Sequence, residues 1–143
     1  MTTIISRLLQ VIIITLMASN AYALDVFFDT RIIGANRPLI RVKTNLPDAT
    51  KVMITVSNES FNYSEQITTA VTAGTFEGGP FLGQGEAISP GIYNLTIAVE
   101  LAQFQPASVQ AVIGRRGEEL EGSLVRKGML GRKVFYSTQF EVS

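Results

Sequence analysis

The chain contains no cysteine, no histidine and no tryptophan, and each absence removes a class of chemistry. Without cysteine there is no disulfide to staple the fold, no thiol nucleophile and no thiolate for a metal. Without histidine the commonest general base is missing, together with the usual imidazole ligands of zinc and copper. A Ser-His-Asp triad is impossible. A Ser–Lys pair stays formally open, yet no serine lies in a nucleophile-elbow context of the type G-x-S-x-G. The expectation is a protein that is not an enzyme, with no catalytic residue, no metal and no cofactor. Charge of one sign is also lacking, because Lys and Arg balance Asp and Glu over the whole chain. That gives no field of the kind that non-specific nucleic-acid binding requires.

What is present first is an export pattern. Arg7 is the one basic side chain of the opening segment, Leu8 to Met17 is almost wholly apolar, and Ala21-Tyr22-Ala23 closes the run. Positive, then apolar, then A-x-A is the order of a cleaved secretory signal peptide. The apolar run falls short of the ~20 residues that span a bilayer, which argues against an uncleaved anchor. Cleavage after Ala23 would make residues 1–23 the leader and residues 24–143 a single domain. With no cysteine to carry a lipid, the expected product is exported to the periplasm or the extracellular space, with no stable membrane insertion of the mature chain. A domain of that size can bury a core sufficient to fold without crosslinks.

The mature part alternates with period two, and helical spacing is nowhere sustained. Val52, Ile54 and Val56 interleave with polar residues, as do Tyr93, Leu95, Ile97 and Val99. At the end, Val134, Tyr136, Thr138, Phe140 and Val142 fall on one face of a strand and Lys133, Ser137, Gln139 and Glu141 on the other. Further candidate strands are Leu24–Phe28, Leu39–Thr44, Tyr63–Val71, Val109–Ile113 and Leu120–Val125. Asn45-Leu46-Pro47-Asp48 reads as a tight turn, in which the Asp side chain bonds nearby backbone. The stretch Gly74 to Gly91 holds six glycines and two prolines and reads as a loop or bulged crossover. The fold class is therefore all-β, an antiparallel β-sandwich of about seven to eight strands. A small closed barrel remains the alternative, since alternation does not reveal closure.

Several segments carry a resemblance. They are Asn45 to Thr50, Gly74-Thr75-Phe76 with Phe81, Pro90-Gly91-Ile92-Tyr93-Asn94-Leu95, Gln105-Pro106, Val109 through Gly114, and Gly117, Leu120 and Gly122. Together they resemble small uncharacterised exported bacterial β-sandwich proteins. The Pro-Gly-x-Tyr-x-Leu element is also similar to one in carboxypeptidase-regulatory-like and transthyretin-like domains, where it begins a core strand. The resemblance implies an immunoglobulin- or transthyretin-like sandwich, and it assigns no activity. Pilin-like adhesin domains with Lys–Asn crosslinks share that element, but no asparagine follows Asn94 here, so the crosslink is not carried over.

The candidate site is basic. Arg115, Arg116, Arg126, Lys127, Arg132 and Lys133 place six of the eleven positive side chains left after the leader within nineteen residues. Two neighbouring hairpins would gather them at one end of the sandwich, where loops cluster and binding sites sit. Such a patch suits an envelope protein or an anionic envelope polymer; the competing reading is a set of turn residues neutralised by Glu118, Glu119 and Glu121. Those three acids lack the pattern of a calcium loop, and the Gly74–Gly91 glycines lack the Gly-Lys-Ser/Thr of a phosphate cradle. Phe28, Tyr93, Tyr136 and Phe140 fall on core faces, which leaves little for sugar stacking. Phe27 and Phe135 face the other way, as an apolar patch or under a covered outer face. Asn58, Asn62 and Asn94 open glycosylation-like triplets, which we read as chance matches.

The leading expectation is a non-enzymatic exported binding or accessory module of the cell envelope. Alternatives are an inhibitor or immunity protein of a periplasmic hydrolase, acting through a protruding Gly74–Gly91 loop, and a structural subunit whose terminal strand Lys133–Val142 completes a neighbour's sheet.

Overall fold

The computed structural model describes residues 23–143, so the expected leader lies outside the described residues apart from Ala23. The chain runs β1 (Leu24–Asp25), β2 (Phe28–Ile33), β3 (Leu39–Thr44), β4 (Lys51–Asn58), a 3₁₀ turn (Glu59–Phe61), β5 (Tyr63–Ala70), β6 (Thr75–Gly78) and β7 (Gly91–Val99). A second 3₁₀ turn (Ala102–Phe104), α1 (Ala107–Ile113), β8 (Leu120–Glu121), β9 (Val125–Gly128) and β10 (Gly131–Val142) follow. Two antiparallel sheets hold eight of the strands, in the orders β5-β4-β7-β10-β9 and β2-β3-β6. β1 and β8 form a separate parallel pair, Leu24 opposite Leu120. The architecture is an all-β sandwich.

Period-two alternation explains which side chains are inside. Val52, Ile54 and Val56 of β4, with Tyr93, Leu95, Ile97 and Val99 of β7, are buried against Ile40 and Val42 of β3 and Phe76 of β6 in one core. Each fully buried aliphatic side chain of this kind stabilises by roughly 1.5–3 kcal/mol. Aromatic contacts run within each sheet and, from Phe28 to Tyr136, between them. The Phe28 ring stands 5.5 Å from Phe76 and 6.1 Å from Tyr136, both in edge-on geometry, and Tyr93 stacks on Phe140 at 5.8 Å. The four aromatics expected inside are therefore in or against the core. Phe27 is half exposed, while Phe135 is partly covered by Arg126.

Three expectations are corrected. The stretch Val109–Ile113 is a helix, not a strand. It buries Val109 and Ile113, four apart, and leaves Ala111 and Val112 exposed, whereas a strand would have turned Ala111 inward with them. Pro106 before it and Gly114 after it are the start and stop signals of a helix. Second, the stretches Leu24–Phe28 and Leu120–Val125 each divide in two. The Asn45 side chain fills the first break, its Nδ2 donating to the Asp25 carbonyl at 2.7 Å and its Oδ1 accepting from the Phe27 N–H at 3.2 Å. Gly122, with φ of 106°, makes the second. Third, Thr75–Gly78 within the expected loop is a strand, paired with β3 from Ile40 opposite Gly78 to Lys43 opposite Thr75. The rest of that stretch does not protrude far. Phe81 and Ile88 are buried, their N–H groups bond the carbonyls of Pro38 and Asn36, and only Gln84–Ala87 between them is exposed.

Candidate functional site

The β9–β10 hairpin carries the sequence Arg126-Lys127-Gly128-Met129-Leu130-Gly131-Arg132-Lys133. Gly128 pairs with Gly131, so Met129 and Leu130 alone form the loop. Neither adopts a positive φ; Gly131 does, at 107°. A Cβ there would also collide with the Arg116 carbonyl oxygen, so glycine is required by both conformation and space.

The register places like charges face to face. Arg126 lies opposite Lys133 and Lys127 opposite Arg132. Directly opposed residues share a face of the sheet, so each face of the hairpin carries one cationic pair, and each pair is repulsive. On the outer face the Arg126 guanidinium covers the Phe135 ring at 4.6 Å from its centroid, worth about 0.5–1 kcal/mol at such a site. On the inner face Arg132 is partly buried and its Nη1 donates to the Leu120 carbonyl at 2.8 Å.

The loop leaving α1 brings the other two arginines. The Arg132 N–H donates to the Arg116 carbonyl at 2.9 Å, and Arg116 Nη2 donates to the Met129 carbonyl at 2.7 Å. Arg116 therefore clamps the hairpin tip. Arg115 is exposed beside it, and its guanidinium makes no hydrogen bond among the described residues. One hairpin and a helix exit, rather than two hairpins, bring Arg116, Arg126, Lys127, Arg132 and Lys133 together, with Arg115 next to Arg116 in the chain.

The acids nearby do little to neutralise this end. Glu118 folds back over Gly114, and its Oε2 accepts the Arg116 N–H at 2.8 Å. Its own backbone N–H, followed by those of Arg116 and Arg115, holds its carboxyl below the usual carboxylate range, aided by the Arg116 charge and opposed by partial desolvation. Its negative charge is thus spent on backbone. Among the described residues the one ion pair is Arg41–Glu77, at 3.0 Å on the other sheet. None of the six basic side chains is in a salt bridge.

Two hollows flank the hairpin. One of about 510 Å³ lies between Leu101 and the tip, bordered by Arg126, Met129, Leu130 and Lys133. The other, of about 350 Å³, lies between Arg116, Glu118, Lys127 and Arg132. Sequence reasoning missed Met129 and Leu130, which are 95% and 59% exposed. The signal for them was the apolar dipeptide framed symmetrically by Gly and Arg-Lys.

Two of the three glycosylation-like asparagines, Asn58 and Asn94, are engaged within the fold, while Asn62 is exposed. Asn58 is buried, its Oδ1 caps the first 3₁₀ turn through Phe61 N–H and its Nδ2 donates to the Ile92 carbonyl at 2.9 Å. Asn94 lies within β7 and accepts from Gln139 at 3.0 Å.

The fold and this end define an all-β sandwich that presents a cationic hairpin with an apolar tip. No family model matches the chain, and neither does a curated protein or a solved structure.

Proposed function

We propose that this protein is a non-enzymatic exported binding module of the cell envelope, whose contact is the basic end formed by Arg115, Arg116, Arg126, Lys127, Arg132 and Lys133. The observation that carries this reading is the pair of opposed cations on each face of the β9–β10 hairpin, none of them in a salt bridge among the described residues. Such an arrangement destabilises the hairpin alone and becomes favourable once an anion lies between or beside the charges. The leader pattern and the resemblance to exported sandwich proteins support an envelope setting. The other readings find less support. Between the buried Phe81 and Ile88 only the four residues Gln84–Ala87 are exposed, which gives an inhibitory loop little to insert, and β10 already pairs with β7 from Phe135 to Val142, which uses the strand that donation would need.

The test is retention of the purified protein on isolated envelope, measured against salt. Retention is expected at low ionic strength, to fall as salt rises, and to be lost on Lys127→Glu with Lys133→Glu while circular dichroism stays unchanged. Undiminished retention of the charge-reversed protein would remove the basic end as the contact.

A further inference from the structure

The tip of the hairpin has a property that an anionic polymer does not need. Met129 and Leu130 are the two most distal residues of the hairpin, and Met129 is almost fully exposed. An exposed methionine–leucine pair on a two-residue loop is unfavourable in water and gains nothing from a hydrated polyanion. Behind it the charges come in tiers. Strand residues rise about 3.3 Å each, so Lys127 and Arg132 root about 7 Å behind the tip and Arg126 and Lys133 about 10 Å. Apolar side chains of a peripheral protein enter the headgroup–acyl boundary of a bilayer by about 5–10 Å. The tiers therefore match the depth at which acidic headgroups would meet them.

Two further observations fit an end-on approach to such a surface. Exposed cations lie on both faces of the hairpin, Lys127 beside the half-buried Arg132 on one and Arg126 with Lys133 on the other, so charge flanks the tip on both sides; a flat protein partner would engage one face and leave the other unanswered. The Met129 carbonyl is already bonded by Arg116 Nη2. A backbone acceptor that enters an apolar boundary needs a partner carried with it, since water is scarce there.

We infer that the β9–β10 tip docks on the surface of an anionic lipid bilayer, Met129 and Leu130 entering the boundary region while Arg126, Lys127, Arg132 and Lys133 hold the acidic headgroups around them. This rests on the reading of the basic end as the contact and names the partner. The docking is peripheral and involves a two-residue tip. No helix among the described residues is long and apolar enough to cross a membrane.

The experiment is co-sedimentation with two kinds of vesicle, phosphatidylcholine alone and phosphatidylcholine mixed with phosphatidylglycerol, alongside retention on immobilised polyphosphate. The protein should sediment with the mixed vesicles and not with the neutral ones. Met129→Ser with Leu130→Ser should weaken vesicle binding by about tenfold or more and leave polyphosphate retention unchanged. Both residues are solvent-exposed, so folding should persist. Lys127→Glu with Lys133→Glu should abolish both kinds of binding. Retention on polyphosphate without vesicle binding would overturn the lipid inference and leave the basic-end reading standing. Binding to neither would overturn both. Equal binding to neutral vesicles, or vesicle binding indifferent to the serine pair, would also overturn the inference.

Discussion

Gln105 shows how much one buried amide can hold in a chain without disulfides. Its Oε1 accepts the Lys51 N–H at 2.8 Å, and its Nε2 donates to the carbonyls of Lys51 and Glu100 at 3.1 and 3.0 Å. The side chain thereby closes the ends of β4 and β7 and ties them to the segment before α1. Gln105→Ala strands the Lys51 N–H and the Glu100 carbonyl, so a loss of about 1–3 kcal/mol is expected in urea unfolding. Glu118 makes a different contribution. Its carboxyl is held below its ordinary range by backbone N–H groups, so its anion is favoured by folding. That contribution is complete above the unfolded carboxylate pKa and is lost as pH falls through the lower folded value. Glu118→Gln should therefore lower stability at neutral pH and converge on the parent protein in strong acid, flattening the acid side of the stability profile, as thermal melts from neutral to acid pH would show. Neither role was legible in the sequence. Gln105 was visible only within a Gln-Pro landmark, because the backbone it bonds lies 54 residues away at Lys51, and Glu118 only as one acid among three, because the turn that aims Arg116 N–H at its carboxylate is not encoded in residue type.

At the scale of elements, legibility followed periodicity. The strands β3, β4, β5, β7 and β10 declare themselves because one face is core and the other water, and their sequences alternate accordingly. α1 was misread because Val109, Ala111 and Ile113 alternate while Val109 and Ile113 also space helically; the flanking Pro106 and Gly114 were the signal that favoured the helix. β6 was hidden for the opposite reason. Its four residues, Thr75 to Gly78, are too short and too glycine-rich for any period to show. The basic cluster was visible as composition, but its register was not. Pairing Gly128 with Gly131 is what sets Arg126 against Lys133. From that register, Lys133→Glu should convert a repulsive cross-strand pair into an attractive one. A gain of about 0.2–1 kcal/mol at low salt is expected, shrinking as salt is raised, as paired urea titrations would reveal. A hairpin that becomes more stable while losing retention on envelope would mark these charges as kept for binding.

For the whole molecule, the composition makes a sharp statement about pH. With neither histidine nor cysteine, no side chain has an ordinary pKa between about 5 and 8. Stability should therefore be flat across the neutral range. It should fall on the alkaline side, because burial pushes up the hydroxyls of Tyr63 and Tyr93, the former also through its bond to Glu65. A raised folded pKa gives a contribution that is whole below the unfolded tyrosine value of about 10 and is lost as pH rises beyond it. Thermal melts from neutral to strongly alkaline pH would check this, and a slope through neutral pH would contradict it. The same absences in the sequence, with its alternation, determined the all-β class, the reliance on packing in place of crosslinks and the chemistry the chain lacks. These follow from residue types and local period, which need no partner to be defined. Tertiary structure alone decided that Asn45 and Gln105 stand in for strand partners, that Ala107–Ile113 coils and buries Val109 and Ile113, and that Met129 and Leu130 lead a hairpin of opposed cations. Those features depend on which surfaces meet after the sheets close, and neither residue type nor local period contains that information.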